Sequence, residues 1–471
     1  MNRIPELSWE WLESRRRGRG VGSKHRSTTK RILVGTALIA SASWMTSRSG
    51  WSQCELAKLL ASDATHGDAL GWRVGLSGTT ALLGTQAKSG AFPASGVAYL
   101  FEWDGTTWTQ SRRLEPSDVA EGDVFGWAVG ISGDRAVVTS LNTQYGAGGA
   151  YVFERGETGW TETAKLIAVA GGPGGCMGCS VAIDGDIVVG GADDDYAGSV
   201  HVFEYDGVGW SETAVLRPAG GHVFDVFGQS VSISGTTLLV GAPGDDTVAN
   251  AVGAAYIFEK VGSSWVEAAK ILPSDGEEED AFGLSVSISA ATALVGAFRD
   301  DDKGYLTGAA YVYERSSRGV WGPNEDFKLH ASDAEYIEYF GYSVSVSGAR
   351  ALISAETDSE LGTSAGSAYV FERQESGWVQ IVKLLASDGG YGDLFGGSVS
   401  LSGQHALISA HYDDDACPED VACNSGAAYV FQLAPTVVPY CFGTGCPCGN
   451  DDSVRGCEDS TTRDPYSPAA V

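Results

Sequence analysis

Polar and apolar residues alternate from Ser230 to Ser234, Ser-Val-Ser-Ile-Ser, which is the period of a β-strand and not of a helix. Ser234-Gly235 marks a turn, and Leu238 to Val240 is a short apolar run. Tyr256 to Glu259 is aromatic and β-branched, and Trp265 to Leu272 completes a group of four short strands. No window of useful length has helical spacing. The same order returns along almost the whole chain. It is marked by a glycine at Gly71, Gly126, Gly178, Gly228, Gly283, Gly341 and Gly396, at intervals of 55, 52, 50, 55, 58 and 55 residues. A period of that size means one supersecondary unit copied side by side. Four-stranded sheets repeated radially predict an all-β fold, a seven-bladed β-propeller.

Residue sizes fit wedge-shaped blades. Serines between the apolar residues of the first strand allow neighbouring sheets to approach. Tyr, Phe and Trp of the third and fourth strands fill the wide end. The first three strand types occur seven times after residue 70, but the fourth follows only six of them. Its seventh copy stands at the front, Glu55 to Ala61, and the last blade stops at Ala428 to Gln432. The N-terminal strand is therefore expected to pair with Tyr429 to Gln432 and close the ring, removing two sheet edges.

The chain resembles the FG-GAP repeat family, the repeat of the integrin α-subunit propeller. Phe-Gly stands at Phe125-Gly126, Phe227-Gly228, Phe282-Gly283, Phe340-Gly341 and Phe395-Gly396, with Leu70-Gly71 and Met177-Gly178 as departures. Gly-Ala-Pro stands at Gly241-Ala242-Pro243, with Gly296-Ala297-Phe298 close to it. The resemblance implies the propeller fold and ligands meeting one loop face. Calcium-binding members carry Asp-x-Asp-x-Asp-Gly in the hairpin between strands one and two. That hairpin is only Ser-Gly-Thr-Thr (Ser234 to Thr237) or Ser-Gly-Ala-Arg (Ser347 to Arg350) here. It cannot supply the six to eight oxygens calcium prefers, so no cofactor or metal residue is carried over.

Three segments follow. Residues 55–434 are the propeller. Residues 1–54 are basic up to Arg31 and then apolar from Ile32 to Met45, too short to span a bilayer, and read as an export signal. Residues 435–471 are a linker and a Cys-rich tail. The expected location is secreted, periplasmic or cell envelope. The formal charge of the whole chain is -29. Residues 1–54 hold ten Lys/Arg and three Asp/Glu, so the rest is more negative still. Such a surface excludes nucleic acid and anionic lipid as partners. In an exported protein the cysteines read first as disulfides: Cys417 with Cys423, Cys176 with Cys179, and pairs among Cys441, Cys446, Cys448 and Cys457.

In a four-strand meander, the loop between strands two and three shares a face with the loop leading into the next blade. More than half of the acids beyond residue 54 fall in these two loop sets, against Lys88, Arg299 and Lys303. The two-three loops carry Asp193, Asp194, Asp195, Asp245, Asp246, Asp300, Asp301, Asp302, Asp413, Asp414 and Asp415. These define a candidate acidic binding face for a protein, glycan or cation. Consecutive Asp side chains on extended backbone point apart, which argues against one ion shared within a run. Catalytic motifs such as H-E-x-x-H, G-x-S-x-G or a P-loop are missing from residues 55–434. His66, His222 and His411 fall in loops from which they could meet on the acidic face. The reading is an exported, non-catalytic binding scaffold for a protein or glycan at the cell surface. The alternative is a propeller-type hydrolase or lyase acting on polysaccharide through paired carboxylates.

Overall fold

The computed structural model describes residues 53–143, 148–168, 177–192, 197–416 and 423–433. Within them 28 strands form seven four-stranded antiparallel sheets, the seven-bladed propeller expected. Blade four shows the plan: Ser230–Ser234, Thr237–Ala242, Ala254–Val261 and Ser264–Ile271, each paired with the next. Blade seven is assembled from both ends. Phe395–Ser402, His405–Ala410 and Ala427–Leu433 supply three strands, and Gln53–Leu59 supplies the outer one. Ala57 faces Val430, Lys58 faces Tyr429 and Leu59 faces Ala428. Leu59 is buried with Leu70, Leu83, Tyr99 and Val430, so the closing strand also contributes to the core shared with blade one.

The first strands touch their neighbours in a closed ring around the axis. Each is a sheet edge, and its outward N–H groups need acceptors. The alternating serines supply them. Ile288 N–H donates to Ser232 Oγ of the preceding blade at 3.0 Å, and Val346 N–H donates to Ser287 Oγ at 3.0 Å. Val399 N–H reaches Ser343, and Val74 N–H reaches Ser398 across the closure. Between blades three and four Asp184 replaces the serine and accepts from Gly235 N–H. The serines are thus acceptors between blades as well as small side chains.

The recurring glycine motifs meet at one joint between blades. Phe282 N–H donates to Val252 O at 2.8 Å, with Gly253 alongside in a parallel bridge to Phe282. Gly253 has φ +90°, and a Cβ there would lie 2.0 Å from Phe282 O. A Cβ on Gly241 would lie 1.9 Å from Gly283 O. Only glycine permits both the dihedral and the approach. The Phe282 ring is buried edge-on against Tyr311 and Tyr313 of its own blade, at centroid distances of 5.3 and 6.2 Å. At the rim Trp321, in the connection that precedes the outer strand Phe327–Leu329, donates to Glu259 of the preceding blade at 3.1 Å. Arg315 pairs with the same carboxylate at 2.8 Å.

A second contact joins the loops. The residue before the Phe-Gly pair is left-handed: Val124 at φ 56°, Ala281 at 56°, Leu394 at 54°. So is its partner in the preceding blade: Ala94 at 49°, Ala251 at 52°, Ser364 at 55°. In each case the N–H of the first donates to the carbonyl of the second at 3.2 Å. Left-handed backbone costs about 1–2 kcal/mol per non-glycine residue, so its repetition marks a constraint imposed by the joint. Among the described residues the lead-in loops of blades one, two, five, six and seven are thus locked to the two-three loop of the blade before, and the two loop sets form one face.

Candidate functional site

In blade five, Asp300 follows the second strand and is 2% exposed. Asp302 lies two residues on, and Asp275 comes from the lead-in loop. The three carboxylates come within 4.8 Å of one another. The Lys328 ammonium, from the outer strand, sits among them at 2.7 Å from Asp300, 2.8 Å from Asp275 and 2.5 Å from Asp302. Tyr311 OH, from the third strand, donates to Asp300 at 2.8 Å, and the lysine lies 5.0 Å above its ring centroid. All four elements of the blade thus bear on one charge cluster, because the second strand delivers its loop there and the outer lysine is long enough to reach.

Blade seven repeats this, with Lys58 held by Asp388, Asp413 and Asp415 at 2.9, 2.8 and 2.6 Å. Tyr429 OH donates to Asp388 and to Asp413, at 2.7 Å each. In blade six Lys383 pairs with Asp333, Asp358 and Glu360. In blade four Lys270 pairs with Asp245 at 2.6 Å. Blade two keeps Lys165 with Asp118 at 2.5 Å and has Thr143 in the loop position. Blade one inverts the arrangement. Lys88 occupies the loop position, is 4% exposed, and pairs with Asp68 at 2.6 Å. Burial opposes the charge on Lys328, but the hydrogen bonds it donates to Asp275, Asp300 and Asp302 outweigh it and raise its pKa. Burial likewise opposes ionisation of Asp245 and Asp275, and the facing lysines hold both carboxyls below the ordinary range.

This revises the expected face. Asp245, Asp300 and Asp413 are buried ion-pair partners, not free surface charges, and Asp302 and Asp415 share the same lysines. Asp246 and Asp301 are exposed, and Asp414 is half-buried. Asp193 and Asp194 lie outside the described residues. Counting Lys88, Arg299 and Lys303 alone missed the outer-strand lysines. Their signal was in the sequence, a Lys before Leu or Ile at Lys58, Lys165, Lys270, Lys328 and Lys383. Asp300 and Asp302 do converge, because the chain turns there, Asp302 N–H donating to Asp300 Oδ1 at 3.2 Å, and what lies between them is an ammonium. His66 and His222 are exposed on loops of blades one and four. His411 is buried against Trp72 and Tyr412, which, with Arg73 nearby, lowers its pKa to about 3. The three do not gather. Cys423 is buried and Cys179 half-buried. Cys176, Cys417, Cys441, Cys446, Cys448 and Cys457 lie outside the described residues, as do the proposed export segment up to Ser52 and the tail from Pro435.

A second row of acids lies beneath this one. Asp68, Asp123, Asp225, Asp280, Glu338 and Asp393 stand two residues before the Phe-Gly pair or its equivalent and are all buried. Asp280 accepts from Glu277 N–H at 2.7 Å and Asp393 from Gly390 N–H at 2.6 Å, so each shapes its own loop. Burial, with Asp300 nearby, pushes the Asp280 carboxyl up to about 7. Burial beside Asp358 does the same for Glu338, and burial near Asp413 takes Asp393 to about 6. These groups bind more protons folded than unfolded between about pH 4 and 7, so their ionisation penalty falls as pH is lowered through that range. Melting temperature should therefore rise from pH 8 to about pH 5. It should turn down below about pH 4, where Asp245, Asp275, Asp333 and Asp388 lose the stabilisation that comes with their lowered pKa values. Asp280→Asn keeps the acceptor for Glu277 and should raise the melting temperature at pH 8 but not at pH 5. An equal effect at both would refute the assignment.

The closed ring, the glycine joints and the loop face together define a repeat-built β-propeller that offers one face to its surroundings. The FG-GAP repeat model matches seven times, at residues 51–101, 108–153, 160–203, 210–258, 265–313, 323–371 and 378–431. The chain belongs to the FG-GAP repeat family. Each match runs from an outer strand through three strands of the following blade, so the sequence unit bridges a blade junction and the first unit begins with the closing strand. No curated protein matches the chain. Among the described residues no helix is long and apolar enough to cross a membrane.

Proposed function

We propose that this chain is an exported, non-catalytic binding scaffold whose loop face meets a protein, glycan or cation at or outside the cell envelope. The observation that carries this reading is the state of the loop face. Backbone bonds between blades hold it rigid, while its outermost positions present large exposed side chains, Tyr305, Tyr336 and Tyr391, beside exposed Asp246 and Asp301. Rigid scaffolds commonly place recognition on such loops. Aromatic side chains give contact area at little entropic cost.

Screening the chain against protein and glycan arrays, with and without chelator, should yield a ligand. Its affinity should fall about tenfold, roughly 1.4 kcal/mol, when Asp246→Lys and Asp301→Lys are combined. These positions suit the test because Asp300 or Asp413 substitutions would unseat Lys328 or Lys58, whereas Asp246 gives up a loop bond, from Ala251 N–H. Ligand binding that ignores the exposed pair would sink the reading. The second reading, a polysaccharide hydrolase or lyase, draws support from Asp280, with its raised pKa, close to Asp300. Release of shortened glycan on the array would favour it.

A further inference from the structure

Tyr305, from the two-three loop of blade five, and Tyr336, from the lead-in loop of blade six, stack across the blade junction with ring centroids 5.4 Å apart and planes 26° from parallel. Both remain mostly in solvent, at 55% and 69% exposure. Their loops are fixed to each other, Ile337 N–H donating to Tyr305 O at 3.1 Å and Glu338 N–H to Leu306 O at 3.2 Å. Tyr391 holds the place of Tyr336 one blade further on, two residues before the buried acid, and is 84% exposed, with Leu361 at 44% on the neighbouring loop. In other blades the same place holds His66, Glu121, Val223 or Glu278. Among the described residues the exposed tyrosines lie only on blades five to seven, while blade one exposes Phe92 on its two-three loop. A stacked pair of exposed tyrosines on a fixed backbone is the kind of surface that interfaces favour, where tyrosine is enriched.

We infer that these tyrosines are the docking surface for a basic polypeptide segment, one whose Arg and Lys side chains lie over the rings. The proposal deepens the binding-face reading and rests on it. Charge selects the partner. The chain carries -29, and a second copy or an anionic polymer would be repelled. The loops that carry Tyr305 and Tyr336 also bear exposed Asp301, Asp302, Asp333 and Glu335 against Lys303, and the lead-in loop of blade five bears exposed Glu277, Glu278 and Glu279, of which Glu278 accepts from Asn250. Asp302 is already paired with Lys328. A guanidinium over a tyrosine face is attracted by the negative face of the ring and can still reach a carboxylate with its remaining N–H groups. A neutral glycan would use the rings but leave these acids without a role.

The test is titration of the full chain with a labelled arginine nonapeptide, alongside a glycine-serine peptide of equal length and a neutral oligosaccharide. Saturable binding of the arginine peptide alone is expected, weakening with salt. Tyr305→Ala, Tyr336→Ala and Tyr391→Ala combined should lower its affinity at least tenfold, and the three Tyr→Phe changes, which keep the rings, less than threefold. The exposure of all three positions leaves folding intact, which circular dichroism checks. Arginine-peptide affinity unchanged by the alanine variant, or binding of the oligosaccharide in its place, would overturn the basic-partner assignment while leaving a binding face. A wild-type chain that binds none of the three probes would overturn it as well, whereas the broader reading falls only on its own test, by failure on the arrays or by binding that ignores Asp246 and Asp301.

Discussion

A chain shortened to begin at Ser62 is expected to lose cooperative folding, and the same chain with Gln53 to Ala61 appended after Leu433 is expected to regain it. The shortened chain leaves the Ala427–Leu433 strand as a bare edge, where six residue pairs formed a ladder. It uncovers the core around Val430 and Tyr99 by removing Leu59, worth roughly 1.5–3 kcal/mol in burial alone. It also removes Lys58 from Asp388, Asp413 and Asp415, leaving Asp413 buried without its cation, at a cost of about 3–5 kcal/mol. Together these approach the 5–15 kcal/mol that holds a typical domain together. Appending the strand through a hairpin like that between Trp103 and Trp108 would give blade seven the connection blade one already has. Size-exclusion profiles and thermal melts of the two chains would check this. A monomeric, cooperatively melting Ser62 chain would mean the ring does not depend on its closing strand.

Much of this architecture was legible in the residue pattern. The serine-valine alternation fixed strand type, and the Phe-Gly spacing gave the blade count. The displaced Lys58-Leu59-Leu60 gave the closure, because a missing outer strand has to come from somewhere. Other features were visible only as letters. Ser232 reads as a small residue, and its role as acceptor for Ile288 N–H depends on a partner 56 positions away. Lys328 reads as a polar outer-strand residue, and only the reach of its stem past Tyr311 shows that it belongs to the loop face. Tyr336 and Tyr391 are the reverse case. An aromatic residue between acids suggests packing, yet the left-handed residues that follow, Ile337 and Tyr339 in blade six and Leu394 in blade seven, accompany loops that hold both rings in solvent. Sequence periodicity reports what the blades share, whereas the exposed tyrosines lie where blades five to seven differ from the rest.

Lys328→Met is expected to destabilise the folded chain by about 3–5 kcal/mol at pH 7, far beyond the 0–1 kcal/mol of an exposed ion pair. The lysine stem is replaced by an apolar one of similar length, so packing over Tyr311 survives and the lost charge dominates. Asp275, Asp300 and Asp302 then stand within 4.8 Å of one another with Asp300 buried and no ammonium between them. Mutual repulsion and burial would raise their pKa values above those of the unfolded chain. The deficit should therefore grow as pH rises through the new folded pKa values and shrink as pH falls toward 4. Adding Asp300→Asn should recover part of the loss, because the two positions share one cluster and their effects are not additive. Millimolar calcium should also stabilise the Lys328→Met chain and leave the parent unchanged. Three carboxylates binding through one oxygen each supply half or fewer of the oxygens calcium prefers, so the gain should be weak, and it should be absent where an ammonium already fills the space. Denaturant titrations of the parent, single and double variants across pH 4–8, with and without calcium, separate these outcomes. A loss below about 1 kcal/mol, flat with pH, would mean that the lysine only decorates the cluster and that the loop face is held by its backbone bonds alone.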